Sequence, residues 1–271
     1  MPSREANILI LCKTYPSPSA KYAETSCVAG MEVNGSLIRL YPVPFRMIGE
    51  DQQFKKWQWI TARVEKSPND HRPESHRIYV DTIQTGTVID TGKRHDWAAR
   101  RSLISSLPVY DSHAELDQAR IEHEVSLGLV RVSRVVDLDI TPAKNPDWTN
   151  EELSKLVTMQ AQGSLFEENE ASVQQLEKIP FDFHYQYECN TSAGTERFRH
   201  KIVDWEVCQL YRKLVRSHGR DGWQEPFKNK LLHELPKGDL MLLQGNMHRY
   251  AWQWLIVSLI YPPREQQQSL F

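Results

Sequence analysis

The sequence has few cysteines, and no two of them are arranged as a redox or metal pair. The four are scattered and form no Cys-x-x-Cys spacing: Cys12, Cys27, Cys189 and Cys208. Such a scatter is typical of reduced thiols inside a cell rather than of a disulfide framework. Long apolar runs are also missing. The longest, residues 254–260 with Ser258 as its one polar position, is far too short to cross a bilayer, and the run at residues 8–12 is too short for a secretory signal. We therefore expect a cytoplasmic protein that does not enter a membrane.

The common catalytic signatures are missing as well. The sequence contains no Gly-rich phosphate loop of the Walker or dinucleotide type, no His-Glu-x-x-His and no Gly-x-Ser-x-Gly. The region around Asp182, Glu188 and residues 196–201 does not reproduce the Glu-x-Lys spacing of a restriction-type nuclease. We accordingly expect no cofactor and no metal, and the sequence leaves open whether the protein is an enzyme.

Composition places the chain among ordinary globular proteins with a sizeable core. It has 271 residues, 40% of them hydrophobic and 25% charged. The net charge of −2 divides into +4 for residues 1–101, −10 for residues 102–195 and +4 for residues 196–271. A protein that binds DNA mainly by counterion release is usually more basic, so any nucleic-acid contact should be local or assisted by a partner.

The first part of the sequence predicts a small β-barrel. The apolar run at residues 8–12 is typical of a buried strand, and Asn34-Gly35 between two strand-like segments is a strong hairpin signal. Further strands are expected at residues 57–66 and 77–80. Two helices follow, at residues 96–107 and 112–122, and Ser112 with Glu115 forms a capping box in the second.

The remainder predicts a mixture of strands and helices. Strands are expected at residues 126–132 and 135–140, and residues 181–189 alternate apolar and polar side chains with a period of two. The polar, acidic stretch 141–178 is typical of a linker. Helices are expected at residues 202–217 and 224–235, after a turn at residues 190–195, and a final hairpin at residues 239–244 and 252–261.

One pentapeptide, Gln-x-Ser-Leu-Phe, occurs twice, at residues 162–166 and 267–271. It resembles the short motif by which bacterial replication and repair proteins dock on the DNA sliding clamp. A Leu-Phe pair would fill an apolar pocket and the Gln would fix its orientation. Packing of each peptide on its own domain is the alternative. The partner-binding residues under the clamp hypothesis are Gln162, Leu165, Phe166, Gln267, Leu270 and Phe271.

Several further segments resemble bacterial proteins with a dual OB-type domain. They are residues 12–14, 27–30, 37–40, 72–75, 204–206 and 245–248. The resemblance implies small barrels of a kind often used on single-stranded nucleic acid. We therefore expect an α+β fold in which a small N-terminal OB-like β-barrel with a helical insertion (residues 1–140) precedes a linker (141–178). A C-terminal α+β module (179–263) and a flexible tail (264–271) follow.

Two groups of residues in the expected barrel are candidates for contacting nucleic acid. The loop at residues 13–25 interleaves cations with rings, as in grooves that hold phosphates and stacked bases, through Lys13, Tyr15, Lys21 and Tyr22. Arg39 and Arg72 are candidates for binding phosphate. A solvated loop, and an ion pair between Arg39 and Glu74 that closes the barrel, are the respective alternatives.

A third group lies in the C-terminal module. His200 and Asp204 are four residues apart at an expected helix start and would share a face, and with His248 they would form a metal site or an acid–base pair. An acidic residue that merely complements the helix dipole is the alternative. A base-excising glycosylase needs a carboxylate and a pocket for a flipped base but no metal. Its predicted catalytic residues are Asp204, Glu206, Asn246 and His248.

The sequence therefore favours a DNA-associated protein of replication, repair or anti-phage defence that contacts single-stranded or distorted DNA. Recruitment by the sliding clamp is part of this hypothesis. The alternative is a DNA-processing enzyme, a glycosylase before a nuclease.

Overall fold

The computed structural model describes residues 2–16, 25–46, 48–154 and 177–264. Within them the chain forms two β-sheets that pack against each other. Among these residues, no helix combines the length and the apolar character that a membrane crossing requires.

The first sheet closes into a barrel. Its strands are β1 (Arg4–Lys13), β2 (Ser26–Glu32), β3 (Leu37–Val43), β4 (Gln58–Lys66), β5 (Ser75–Ile78) and β6 (Gln84–Val88). They follow the order β1-β2-β3-β5-β4-β6, and a further pairing of β1 with β4 closes the first five strands into a ring. β3 and β5 run parallel, and the other pairs run antiparallel. The N-terminal part is therefore an OB-like barrel, as expected.

Strand β1 is buried on both faces. Ile8 and Ile10 belong to the core inside the barrel, whereas Leu9 and Leu11 pack against the second sheet. Successive side chains of a strand point to opposite faces, so a strand between two cores must be apolar at every position. This position explains the uninterrupted apolar run in the sequence.

The second sheet has seven strands in the order β7-β8-β12-β13-β11-β10-β9. They are β7 (Val109–Tyr110), β8 (Leu127–Arg131), β9 (Arg134–Pro142), β10 (Phe181–Thr191), β11 (Gly194–Ile202), β12 (Met241–Asn246) and β13 (Trp254–Ile260). The inner side chains of β10 are buried as its alternation predicts, namely Phe183, Tyr185, Tyr187 and Cys189. With its helices, this sheet forms the expected C-terminal α+β region.

The change from one sheet to the other comes earlier in the chain than we expected. Residues 109–140 were expected to complete the barrel domain, but β8 pairs with β12 and β9 pairs with β10. Strand pairing between residues far apart in the sequence decides this assignment, and strand pattern alone does not reveal the partner.

Most of the helices cover the face of the second sheet that points away from the barrel, whereas the first packs Ile104 into the core between the two sheets. The helices are α1 (Ala98–Ile104), α2 (His113–His123), α3 (Trp205–Gly222) and α4 (Gln224–Lys228), and a π-helical turn (Asn229–Glu234) follows. α3, α4 and the π turn bury rings against β10, among them Tyr211, Trp223 and Phe227. Ser112 caps α2 as predicted, since its hydroxyl accepts from the Glu115 amide, whereas the Glu115 carboxylate accepts from the amide of Asp111, one residue before the cap.

Strand β11 was missed. We expected a turn at residues 190–195 and a helix from about residue 202, whereas residues 194–202 pair with β10 and with β13. The segment is largely polar and exposed, so it carries little apolar periodicity of its own. Its backbone pairing with β10 makes it a strand.

Candidate functional site

A cavity of about 510 Å³ lies between the barrel and the second sheet. The barrel contributes Thr25, Cys27, Arg39 and Tyr41, and the second sheet contributes Phe181, Phe183, Lys201, Gly245 and Asn246. Its volume lies within the range of small-molecule and cofactor sites, about 300–1,000 Å³. Because both sheets line it, the cavity exists only once the two parts have packed together.

Arg39 enters this cavity from β3 and is 4% exposed. Its Nη2 donates to the main-chain oxygen of Ser126 at 2.8 Å, and its Nη1 lies 3.7 Å from Sγ of Cys27. Its Nε has no hydrogen-bond partner among the described residues. A buried donor of a charged group that stays unsatisfied costs about 1–3 kcal/mol or more. Arg39 therefore retains an unused donor at the cavity wall.

Glu74 does not meet Arg39 in the ion pair that was the alternative interpretation. Its two carboxylate oxygens accept from the amide and hydroxyl of Ser126, at 2.9 and 2.5 Å. Arg39 binds the carbonyl of the same residue. Arg39 and Glu74 are thus joined through Ser126, which anchors the start of β8 on the barrel.

Asn246 lies beside Arg39, at the end of β12, where its main-chain amide donates to the same Ser126 carbonyl at 3.1 Å, and it is also 4% exposed. Its Nδ2 donates to the carbonyl of Ala251 at 3.2 Å, which fixes the orientation of the amide. Its Oδ1 has no hydrogen-bond partner in the part of the chain that the structure describes. Two neighbouring residues of the cavity lining thus hold one unpaired donor atom and one unpaired acceptor atom, both buried.

Gly245 allows Arg39 to lie against β12. A Cβ at this position would stand 3.1 Å from Nη2 of Arg39 and 3.0 Å from a methyl carbon of Leu127. Since the guanidinium is held by Ser126, it has little freedom to retreat. A side chain at position 245 would therefore displace the arginine.

Arg72, predicted to contact nucleic acid, has its guanidinium engaged within the protein. It binds both carboxylate oxygens of Asp70, and its Nη1 donates to the carbonyl of Asn246 at 2.7 Å. Burial raises the pKa of Asp70, but the hydrogen bonds and charge of Arg72 outweigh it and bring the pKa below its ordinary value. Arg72 connects the barrel to the second sheet.

The predicted loop residues lie in different places. Nζ of Lys13 donates to the carbonyl of Phe54 at 2.8 Å and lies 3.6 Å from the centre of the Phe45 ring. Burial lowers the pKa of this amine to about 8. Tyr15 lines the cavity, where its hydroxyl donates to the carbonyl of Glu177 and accepts from Arg212. Lys21 and Tyr22 lie outside the described residues, as do Gln162, Leu165, Phe166, Gln267, Leu270 and Phe271.

The four predicted catalytic residues are not assembled in one site. Asp204 and Glu206 line a second cavity, of about 480 Å³, together with Lys13, whereas Asn246 lines the first. Oδ1 of Asp204 caps α3 through the amides of Glu206 and Val207, and its Oδ2 accepts from the amide of Leu259. Burial raises the pKa of Asp204. Its carboxylate thus stabilises the start of α3 and binds it to β13.

His200 does not share a helix face with Asp204, contrary to our expectation, because it lies in β11. Its Nδ1 is hydrogen-bonded to the Tyr187 hydroxyl at 2.9 Å, and its ring lies 4.2 Å from that of His113. His248 follows β12 and lies near Asp70, with 3.9 Å between Nε2 and Oδ1. The expected grouping of His200, Asp204 and His248 is therefore incorrect.

Sequence reasoning missed part of the cavity wall. Tyr41, Phe181, Phe183 and the ion pair between Lys201 and Asp182, 2.6 Å long, all border the cavity. The alternating rings of β10 were visible in the sequence, but only the packing of β10 and β11 beside the barrel shows which of these side chains reach the cavity.

Two family models cover the chain. One, described as a domain of unknown function (DUF8758), matches residues 4–106, and the other, described as a domain of unknown function (DUF8757), matches residues 109–271. Their junction coincides with the change from the first sheet to the second. Among curated proteins, none matches this chain.

Among solved structures, the chain is similar to one described as a replication protein A heterotrimer bound to ssDNA. The match has 8% sequence identity and a TM-score of 0.27, and it covers 96% of this chain. The chain spans 66% of the length of the matched chain, slightly under two thirds. At this TM-score the likeness supports no conclusion about function.

Proposed function

Because this chain belongs to the family described as a domain of unknown function (DUF8757), whose model matches residues 109–271, we propose a function from its own site. The protein contacts single-stranded or distorted DNA and holds one unpaired base in the cavity between the barrel and the second sheet. The observation that carries this proposal is that Arg39 and Asn246, two neighbouring residues of the cavity lining, each hold a buried side-chain atom, Nε and Oδ1, without a hydrogen-bond partner among the described residues.

A nucleobase matches this pair in chemistry. Base edges place hydrogen-bond acceptors beside donors, so one edge would accept from Arg39 and donate to Asn246. Each buried group that gains a partner no longer bears a desolvation cost of about 1–3 kcal/mol. Inside a duplex the base is stacked and its pairing edge is occupied, so only an unpaired or extruded base would enter. This favours single-stranded or distorted DNA.

The surroundings of the pair suit a nucleotide. Phe181 and Tyr41 supply rings at the cavity wall, and lysines bring positive charge to it: Lys144, Lys178 and Lys201. Stacking of a base on an aromatic ring contributes about 1–3 kcal/mol and tolerates any base. Two of the lysines pair with carboxylates within the protein, Lys178 with Glu152 and Lys201 with Asp182. Phosphate contacts are therefore few, in keeping with the low net charge.

Fluorescence anisotropy with a labelled single-stranded oligonucleotide tests the proposal directly. Asn246→Ala removes the unpaired acceptor, and we expect the affinity for DNA to fall by roughly fivefold to a hundredfold, since one good base contact is worth about 1–3 kcal/mol. Asn190→Ala, at the exposed end of β10, is the matched control and should bind like the wild type. Failure of the intact protein to bind single-stranded DNA, or equal binding by both variants, would overturn the proposal.

Cys27 offers an independent test of where the DNA lies. It is the half-buried cysteine at the cavity wall, whereas Cys12, Cys189 and Cys208 are buried. A base in the cavity should slow alkylation of Cys27 by iodoacetamide, measured by peptide mass spectrometry. Duplex DNA should protect less, and Asn246→Ala should abolish the protection. DNA binding without protection of Cys27 would place the DNA elsewhere on the protein.

A base-excising activity is the second candidate, because the carboxylate of Asp182 lines the same cavity. A glycosylase needs a carboxylate beside a flipped base. Incubation with labelled DNA, with and without EDTA, separates the possibilities. Abasic sites that disappear with Asp182→Asn would indicate a glycosylase, EDTA-sensitive cutting would indicate a nuclease, and an unchanged substrate would indicate a binding protein.

Recruitment by the sliding clamp is a separate proposal supported by the two Gln-x-Ser-Leu-Phe peptides. Its test is binding to purified bacterial clamp by the intact protein, by a version without residues 269–271, and by Leu165→Ala with Phe166→Ala. We expect one or both changes to weaken the interaction. No binding by the intact protein would refute recruitment and leave the cavity proposal untouched.

A further inference from the structure

Three side chains that could ligate a metal converge where the barrel meets the second sheet. Asp70 and His71 lie in the loop between β4 and β5, and His248 follows β12. One ligand atom from each lies within 4.8 Å of the others. The rings of His71 and His248 are 5.3 Å apart, centre to centre. Asp70 and His248 are 178 positions apart in the sequence, so only the packing of the two sheets brings them together.

We propose that Asp70, His71 and His248 form a binding site for a first-row divalent cation of the zinc type, which bridges the barrel and the second sheet. Ligands of tetrahedral zinc stand about 2.0–2.2 Å from the metal, so they lie about 3.4 Å from one another. The three atoms need to close by roughly 1 Å to reach this geometry. His71 and His248 are exposed, so their side chains are free to turn inward.

The carboxylate is already held in place for this role. Arg72 donates to both oxygens of Asp70, and the same guanidinium binds the carbonyl of Asn246. Hydrogen bonds from outer residues commonly orient metal ligands in this way. The Oδ1 atom of Asp70 that accepts from Arg72 is also the one nearest to Nε2 of His248.

The donor set selects the class of metal. Two imidazoles and one carboxylate suit zinc and its neighbours, whereas magnesium and calcium prefer several oxygen ligands. The carboxylate of Asp70 is already paired with the positively charged Arg72. A cation that depends on anionic oxygen ligands would therefore bind weakly here. Three protein ligands leave one position of a tetrahedral metal open for water or for a ligand atom.

Isothermal titration of tag-free, EDTA-treated protein with zinc chloride tests the site. We expect one equivalent to bind, and His71→Ala with His248→Ala to weaken binding by at least about tenfold. The matched control replaces two exposed histidines elsewhere, His218→Ala with His233→Ala, and should bind like the wild type. Magnesium chloride should give no stoichiometric binding to any of the three proteins.

Two further readouts separate ligation from an indirect effect. Zinc should raise the Tm of the wild type in proportion to the logarithm of its concentration, and this rise should be lost in the His71/His248 variant. Cobalt(II) in place of zinc should show visible absorption bands of a nitrogen- and oxygen-ligated ion, again absent from that variant. Zinc binding unchanged by the double substitution, or absent from the wild type, would overturn the inference. Neither result depends on whether the protein binds DNA.

Discussion

Arg72 donates a hydrogen bond of 2.7 Å to the main-chain carbonyl of Asn246, and so connects the loop after β4 to the end of β12. The same guanidinium neutralises Asp70, whose side chain is only 13% exposed. One residue thereby joins the barrel to the second sheet beside the cavity. The side chain of Asn246 lines that cavity, so the connection also positions the unpaired Oδ1.

Replacement of Arg72 should destabilise the whole protein. Arg72→Met leaves the Asp70 carboxylate without its guanidinium and the Asn246 carbonyl without its donor, which should lower the free energy of unfolding by about 3 kcal/mol. Urea denaturation measures the change. Arg77→Met, on the exposed side of β5, is the matched control and should change stability by less than about 0.5 kcal/mol. Equal effects of both substitutions would show that the connection contributes little.

His200 should make the protein sensitive to acid. Burial, with the nearby charge of His113, lowers the pKa of His200 from 6.5 to about 3. The Tyr187 hydroxyl accepts from Gln244 and lies 2.9 Å from Nδ1 of His200, so it has its own proton to donate to the neutral ring. Between pH 6.5 and 3 the unfolded chain binds more protons than the folded one, so stability falls as the pH falls through this window.

The control for this effect is His200→Asn, which keeps an acceptor near Tyr187 but does not titrate. The loss of unfolding free energy between pH 6.5 and 3 should be smaller in the variant by roughly 4 kcal/mol. Denaturation series at several pH values measure this difference. Parallel pH profiles for the two proteins would show that His200 is not held neutral.

Lys13 should have the corresponding effect at alkaline pH. Burial lowers the pKa of its amine from 10.5 to about 8, so the folded protein binds fewer protons than the unfolded chain between these values. Stability conferred through Lys13 therefore increases as pH rises from 8 to 10.5. Relative to Lys13→Met, the wild type should gain roughly 3 kcal/mol across this window. A constant difference between the two proteins would contradict the lowered pKa.

A methyl group at position 245 should impair the cavity. Gly245→Ala places a Cβ 3.1 Å from Nη2 of Arg39, which Ser126 holds in position. We expect the affinity for single-stranded DNA to fall by about fivefold, equivalent to roughly 1 kcal/mol for one disturbed hydrogen bond. Gly222→Ala, at the end of α3, is the control, and its DNA binding should not change. If Gly245→Ala binds single-stranded DNA like the wild type, Arg39 does not take part in DNA binding.

Local sequence determined most of the individual elements. The Asn34-Gly35 dipeptide specified a hairpin because glycine adopts the positive φ that this turn needs, and Gly35 has a φ of 84°. The capping box at Ser112 specified the start of α2, and the alternation of residues 181–189 specified a strand with one buried face. Each signal depends on residues a few positions apart, so it can be recognised without knowledge of the partner element.

The composition of the candidate site was only partly visible. Arg39, Tyr15 and Asn246 were named from the sequence, and all three line the cavity. Asp204 was named for its carboxylate, but the fold uses that group to cap α3. A sequence shows which side chains carry chemistry, whereas the number of backbone amides around a carboxylate depends on the packed structure.

The chain sequence by itself determined the type of most elements, the closure of a small barrel and the chemical nature of the candidate residues. Tertiary structure alone decided that β8 and β9 belong to the second sheet, that β11 is a strand, and that Arg39 and Asn246 line one cavity. The physical reason is range: propensity, capping and turn chemistry act over a few residues, whereas strand pairing and burial join residues more than a hundred positions apart.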